Sequence, residues 1–373
     1  MLTRRAFLAS VSTAAAQSRD PRFDAAFQCA RESTANGGLL VLNQGRPMYE
    51  RYYGLASPQA TPNLASVGKS FTSIGCGILI GQQPGKFPRA LDTLVCTPEY
   101  LPAAAFPLSD EQRSAIQLGQ LLSMSAGLRG NNPCLQHRLP VTIDPAGPDG
   151  WEAMVDETAY GQRPDAAGRT AATLWCKPGA GYSYATVSPQ LASIIIRHVS
   201  GMELEEFLRR HIAVPLDFGT WGFGYRNRDL RHTPGGGGIC LTGRDLAKFG
   251  ELLRNRGRLG LRQIVPESFI ATASRTNTYN PHSDYSLQFD TNTSGTRTGI
   301  PRDAFWKTGS GGHVLYVVPS LGLTAVKLGG RDGQYDPRDT GLPLPRSAGD
   351  PNPKPTRSEA DAAVETLRLL CNA

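Results

Sequence analysis

The sequence contains no run of eighteen or more apolar residues, so no part of it reads as a membrane span. It has no Lys/Arg run interleaved with aromatics. That absence excludes the usual footprint of a nucleic-acid binder, even though 39 basic against 32 acidic side chains leave a formal charge of +7. None of the seven cysteines forms a C-x-x-C unit, and no structural metal site is expected. No internal repeat and no low-complexity tract is present, which sets aside solenoids and long disordered linkers. The run Gly235 to Gly238 is not followed by G-K-[ST], so it reads as a flexible turn and not as a phosphate cradle.

What is present is the composition of a folded enzyme-sized chain. Its 373 residues are 40% hydrophobic and 19% charged, enough for a substantial core in one large domain or two interleaved lobes. At the start, Arg4-Arg5 precede a short apolar run from Phe7 to Ala16, and Ala14-Ala15-Ala16 suit a small-residue cleavage site. The pattern is similar to a twin-arginine export signal. On this reading residues 1–16 are removed and the chain from 17 to 373 works in the periplasm or outside the cell. Proteins exported this way fold first, so one or two disulfides are expected rather than a dense framework, and the odd cysteine count leaves at least one free thiol.

Along the chain, a helical pattern at "DPRFDAAFQCARESTA" gives way to an apolar run at Leu39 to Leu42, a turn at Asn43-Gln44-Gly45, and Met48 to Tyr53, which together predict a hairpin. "SVGKSFTSIGCGILIGQ" predicts a buried central helix, its glycines marking close packing. Further helices are predicted at "SAIQLGQLLSMSAGL", at "SPQLASIIIRHVSGMELEEFLRRHIAVPL" with Ser188 as cap and Pro189 in the first turn, and at "LTGRDLAKFGELLRNRG" with Thr242 as cap. Strands are predicted at "DYSLQFDT", "GGHVLYVVPS" and "LGLTAVKLGG". Arg331 to Ser358 reads as a long surface loop, and "EADAAVETLRLLCN" as a closing helix. Strands come from both ends and helices from the middle. The implied architecture is a sheet built from the two termini (about 17–62 and 285–373) with a mostly helical lobe inserted between them (about 63–284).

Three short patterns carry chemistry. In "NLASVGKSFTS", Ser66 and Lys69 are three residues apart at a helix start, on one face and in neighbouring turns. A serine hydroxyl needs a neighbour to take its proton, and a lysine does so when burial or a nearby cation lowers its pKa. The free N–H groups of the helix start favour a developing oxyanion. Taken alone, S-x-x-K occurs often by chance, and the pair reads more readily as a capping serine with a surface lysine. In "PGAGYSYATVSPQLASIII", Tyr184 precedes a helix in a turn-rich loop. Beside a lysine ammonium its phenol would ionise more readily and act as a base; as a lone tyrosine it simply packs under the loop. In "FWKTGSGGHVLYVV", Lys307-Thr308-Gly309 stand at the head of a strong strand, where the glycines admit close approach of a substrate to the main chain. His313, just behind, reads as a strand filler, and Ser183 in "GYSYA" only partly matches a G-x-S-x-G elbow.

S-x-x-K, a Tyr-led tripeptide and K-T-G, in that order over nearly the whole chain, resemble the serine β-lactamase and penicillin-binding superfamily, its class C and family VIII carboxylesterase branch above all. "LGQLLSMSAGL", "KPGAGYSYAT" and "GGGGICLTGRDLAKFGELL" are similar to segments of that branch at matching places. The resemblance implies an α/β, α+β sandwich fold: an antiparallel sheet flanked by helices, in a single domain of DD-peptidase and β-lactamase type. It implies Ser66 as nucleophile, Lys69 as its activating partner and Tyr184 as base. It further implies that Lys307, Thr308 and Gly309 face the substrate and that the N–H groups of Ser66 and Ser310 form an oxyanion hole.

One departure bears on substrate. The third position of the family's Tyr-x-Asn element is Thr186, which would hold an amide side chain less well and so favours esters or other amides over classical β-lactams. Lys307 keeps lactams and peptide carboxylates open. The expectation is an exported serine hydrolase without cofactor, acting on a small-molecule ester, amide or lactam. A class C-type β-lactamase or D,D-peptidase is the second reading, and a binding protein that kept the scaffold and lost catalysis is the third.

Overall fold

A computed structural model describes residues 20–108, 110–128, 174–224, 232–344, 352 and 354–373. The export signal read at residues 1–16 and Cys134 lie outside the described residues. In chain order, helix α1 (Asp24–Arg31) leads into the hairpin β1 (Gly37–Asn43) and β2 (Arg46–Tyr53). The central helix α2 (Gly68–Gln82) follows, then the short α3 (Leu118–Leu122), α4 (Val187–Ser200) and α5 (Leu204–Leu208). A two-stranded ribbon, β3 (Trp221–Phe223) with β4 (Ile239–Leu241), precedes α6 (Gly243–Arg254). A small hairpin, β5 (Arg258–Leu259) and β6 (Arg262–Gln263), leads to α7 (Glu267–Ala273). The chain then returns to the main sheet with β7 (Tyr285–Ser286), β8 (Phe289–Thr291), β9 (Phe305–Gly309), β10 (His313–Val318) and β11 (Leu323–Leu328). It closes with α8 (Pro337–Thr340) and α9 (Glu359–Cys371).

The main sheet has seven strands in the order β2-β1-β11-β10-β9-β8-β7, and every neighbouring pair is antiparallel. The sheet is thus assembled from both ends of the chain, as its sequence pattern implied. Strand alternation divides the apolar residues between two cores. Leu40, Leu42, Leu315 and Val317 face the large core with α2, α4 and α6, while Leu39, Val41, Val314 and Tyr316 face a smaller one under α1 and α9. Because both faces are covered, these strands read as near-continuous apolar runs.

Helix α2 is buried from Gly68 to Leu79, and its glycines are points of contact. A Cβ on Gly77 would lie 2.8 Å from the Phe269 ring, and one on Gly75 would lie 3.1 Å from Ile196. Thr242 caps α6 by accepting from the Asp245 N–H, as its sequence position suggested. No described helix is long and apolar enough to cross a membrane.

Several local expectations are corrected. The helix expected across "SAIQLGQLLSMSAGL" is reduced to α3 and a preceding 3-10 turn at Glu111–Ala115, because Gln117 is extended between them and Met124 takes a left-handed φ of 58°. Ser188 does not cap α4. The chain already turns at Thr186, which leaves Ser188 inside the helix and its hydroxyl buried. The long helix predicted from 188 to 216 breaks at Gly201, whose left-handed conformation ends α4. "DYSLQFDT" is a tight hairpin and not one strand, folding back at Leu287 and Gln288, both at positive φ. Lys307-Thr308-Gly309 close a strand of their own, β9, and do not head β10. The stretch after Arg331 carries a 3-10 turn at Asp332–Tyr335 and helix α8 before leaving the described residues. The expected disulfides are not formed among the described residues: Cys29, Cys76, Cys96, Cys176, Cys240 and Cys371 are all free thiols.

Candidate active site

Ser66 sits in a one-turn 3-10 segment, Ala65–Val67, that runs straight into α2. Ala65 holds a positive φ of 47°, a strained conformation for a residue with a Cβ, immediately before the serine. One turn later Lys69 reaches back and its Nζ donates to Ser66 Oγ at 3.0 Å and to the carbonyl of Gly236. Lys69 is 1% exposed. Burial pushes its ammonium down to about 8; Tyr184 opposes that shift and Lys307 adds to it.

Tyr184 lies between two lysines. Its ring centroid is 5.5 Å from Lys69 Nζ and 5.1 Å from Lys307 Nζ, and Lys307 also donates to Tyr184 Oη at 3.4 Å. Burial would raise the phenol's pKa, but the two ammonium groups, Lys307 first, and the hydroxyl of Ser66 outweigh it and bring it to about 8. Lys307 is fully buried and donates to Tyr285 Oη at 2.6 Å. Tyr285 in turn donates to Gln288 Oε1 at 2.9 Å, and Gln288 Nε2 donates to the carbonyl of Leu122 at 2.8 Å. A hydroxyl, a buried amine and an acidified phenol are therefore in mutual contact, backed by a second amine on β9. Such an arrangement can remove the serine proton and return it to a leaving group.

The serine opens into a cleft of about 370 Å³ whose wall includes Ser66, Lys69, Thr186, Gly236, Ser310 and Arg331. Of the residues expected from sequence, Ser66, Lys69, Thr186 and Ser310 are on that wall, while Tyr184 and Lys307 stand behind Lys69. Thr308 and Gly309, expected to face substrate, are instead on the border of a second hollow of about 460 Å³, shared with Trp306 and His313. The cause is strand alternation, which puts Thr308 on the face opposite Lys307. Gly309 supports the site from behind, because its backbone lies so near the serine turn that a Cβ would sit 2.2 Å from the carbonyl of Leu64.

Sequence reasoning missed four participants: the glycine run, Tyr285, Arg331 and Gln334. Gly235 to Gly238 is pinned. Gln190 Oε1 accepts from Gly235 N at 2.7 Å, Thr72 donates to the Gly235 carbonyl at 2.7 Å, and Gly238 N donates to the Ala65 carbonyl at 3.2 Å. Four consecutive glycines were themselves the available signal, since only such a run lets backbone approach Ser66 this closely. Tyr285, Arg331 and Gln334 carried no local signal. His313 fills a strand position. It is fully buried, burial lowers its pKa to about 3, and its Nδ1 accepts from Gly329 N. Ser183 is buried at 1% exposure and forms no nucleophile elbow. Among the described residues no group of three or more His, Cys, Asp or Glu side chains is placed to hold a metal ion.

This sheet, helix and serine–lysine pair define the fold of the serine hydrolases related to penicillin-binding proteins. The chain belongs to the beta-lactamase family, whose model matches residues 23–348. Among solved structures it is similar to a penicillin-binding protein homolog from Caulobacter crescentus, with a TM-score of 0.66, 16% identity, and coverage of 95% of this chain and 98% of that one. It is also similar to a class C beta-lactamase from Rhodobacter sphaeroides, with a TM-score of 0.58, 17% identity, and coverage of 95% and 99%. A third is EstCE1, described as a hydrolase with promiscuous acyltransferase activity, with a TM-score of 0.59, 19% identity, and coverage of 84% and 95%. At these identities the likeness is one of fold. No curated protein matches the chain.

Proposed function

We propose that this protein is an exported serine hydrolase that cleaves an ester or amide through an acyl-enzyme on Ser66. The observation that carries the reading is the contact of Ser66 Oγ with Lys69 Nζ at 3.0 Å, together with the phenol of Tyr184, acidified between Lys69 and Lys307. The Lys69–Tyr184 pair takes the hydroxyl proton as Ser66 Oγ attacks the carbonyl carbon. The oxyanion is received by the N–H groups of Ser66 and Ser310. Collapse breaks the bond to the alcohol or amine, which leaves with the proton held by the pair. Water, activated by the same base, then hydrolyses the acyl-enzyme. Thr186 on the cleft wall, where lactam-cleaving relatives carry an asparagine, favours esters and simple amides. The twin-arginine pattern at Arg4-Arg5 supports export.

A β-lactamase or D,D-peptidase reading is favoured by one observation. Arg331 lines the cleft together with Ser310, and a guanidinium there suits a substrate carboxylate, whereas the ammonium of Lys307 is committed to two phenols.

The test is covalent labelling. A fluorophosphonate or a labelled penicillin should attach to the wild type and not to Ser66→Ala, with both proteins melting alike. Turnover retained in Ser66→Ala overturns the nucleophile assignment. Rapid nitrocefin hydrolysis with poor p-nitrophenyl ester turnover overturns the ester preference, and a wild type that takes neither probe would be a binding protein.

A further inference from the structure

We infer that Gln334 is a positioning residue for this reaction, its carboxamide fixing the spacing between the two backbone N–H groups that receive the oxyanion; the inference rests on the Ser66 reading above. Those groups belong to segments far apart in sequence, the turn that carries Ser66 and the β9–β10 turn that carries Ser310. Gln334, in the 3-10 turn Asp332–Tyr335, lies between them on the cleft wall. Its Nε2 donates to the carbonyl of Asn63 at 2.9 Å and to the carbonyl of Ser310 at 3.0 Å, which uses both amide hydrogens, and His313 Nε2 lies 3.2 Å from the same nitrogen. Its Oε1 accepts from Arg331 N at 3.2 Å, and its own carbonyl accepts from Asn63 N at 2.8 Å.

The surroundings are shaped to this side chain. Gly311 has a φ of +91°, and a Cβ there would lie 2.1 Å from Gln334 Oε1, so only glycine leaves room for the amide. The far side of the same turn is held by Gly311 N donating to Glu359 Oε2 at 2.8 Å. Asn63, the inner end of the bridge, also accepts from Ala65 N through its own Oδ1 at 3.0 Å, which ties the bridge to the residue before Ser66. An oxyanion hole works only if its donors are already in place when charge develops. Gln334 is the side chain that spans the two.

Gln334 takes no part in proton transfer, so its loss should cost less than the roughly 10²–10³-fold of deleting an oxyanion donor itself. For Gln334→Ala, kcat on a short-chain p-nitrophenyl ester should fall about tenfold with KM little changed. The affinity for a boronic acid that mimics the tetrahedral adduct should fall by a similar factor. Gln334→Glu separates positioning from simple packing. Its carboxylate can still accept from Arg331 N and from His313 Nε2, 3.2 Å away, but it cannot donate to the Asn63 and Ser310 carbonyls and repels both, so at pH 7 it should be slower than Gln334→Ala. As pH falls and the carboxyl gains a proton, one donor returns and the Glu-to-Ala activity ratio should rise. With both variants assayed well below their melting temperatures, that ratio cancels the titration of the catalytic base common to them. With Ser66-dependent labelling of the wild type established, kcat and boronate affinity within twofold of wild type in both variants, or a Glu-to-Ala ratio flat with pH, would overturn the role of Gln334 alone. Loss of labelling specificity for Ser66 would instead remove the reading on which it rests.

Discussion

The buried ammonium of Lys307 lies 2.6 Å from the phenol oxygen of Tyr285 and 3.4 Å from that of Tyr184. The two phenols are driven in opposite directions. Burial sends Tyr285 well above the usual tyrosine range, and its hydrogen is already given to Gln288, so it can only accept from the lysine. Tyr184, with Lys69 on its other side, is brought down to about 8. Tyr285 therefore anchors the cation and Tyr184 feels it.

A pH profile follows. Lys69 and Tyr184 are coupled, so their titration belongs to the pair. The pair acts as base only after losing a proton, so kcat/KM should rise with pH through an apparent pKa near 8 and level off above it. In Lys307→Met the strongest attraction holding Tyr184 down is gone. The inflection should move up by about one unit or more, and activity at pH 7 should fall about tenfold. An unchanged inflection in that variant would show that Lys307 does not set the base.

How much of this was open to reading depended on range. Ser66 and Lys69 were visible because helical spacing is local, and β1, β10 and β11 were visible because burial on both faces leaves apolar runs. The helix ends went wrong where one residue turned against its neighbours: Met124 and Gly201 take left-handed backbone inside otherwise periodic stretches. Tyr285 and Gln334 were unreadable for another reason. Their roles exist only through partners such as Lys307, Asn63 and Ser310, and nothing in "DYSLQFDT" or in a Pro-, Gly- and Asp-rich segment marks them. Thr308 was misplaced because a motif fixes residue order, whereas the strand fixes which face each residue occupies.

Gly309 offers a steric test of how closely β9 must approach the nucleophile. An added Cβ meets backbone on two sides, the Leu64 carbonyl at 2.2 Å and Val67 N at 3.2 Å, and backbone cannot rotate away as a side chain can. Gly309→Ala should lose about 1–3 kcal/mol of stability by overpacking. Because the displaced turn carries Ser66, the rate of fluorophosphonate labelling should fall by about 10²-fold or more. Denaturant unfolding and labelling kinetics check the two halves separately, and normal labelling in a destabilised variant would mean that the turn does not move with the strand.

Lys327 tests the opposite core. It lies on β11, fully buried on the face covered by α1 and α9, and its Nζ donates to the Gly312 carbonyl at 2.6 Å. Burial lowers its pKa to about 8, with Cys29 and Glu359 acting weakly the other way. The folded value is below the unfolded one near 10.5, so between those limits the unfolded chain binds more protons and stability rises with pH. Below about 8 the folded protein carries a desolvated cation, a penalty of about 3 kcal/mol at pH 7 that shrinks to under about 1 kcal/mol by pH 10. Lys327→Met removes the titration but leaves the Gly312 carbonyl without its donor, a loss of about 1 kcal/mol. The variant should therefore be more stable than the wild type at pH 7 by about 2 kcal/mol and lose that advantage by pH 10. Lys69 titrates in both proteins and cancels in the difference, so a stability difference that does not change with pH would mean that Lys327 is already neutral, or fully solvated, in the folded state.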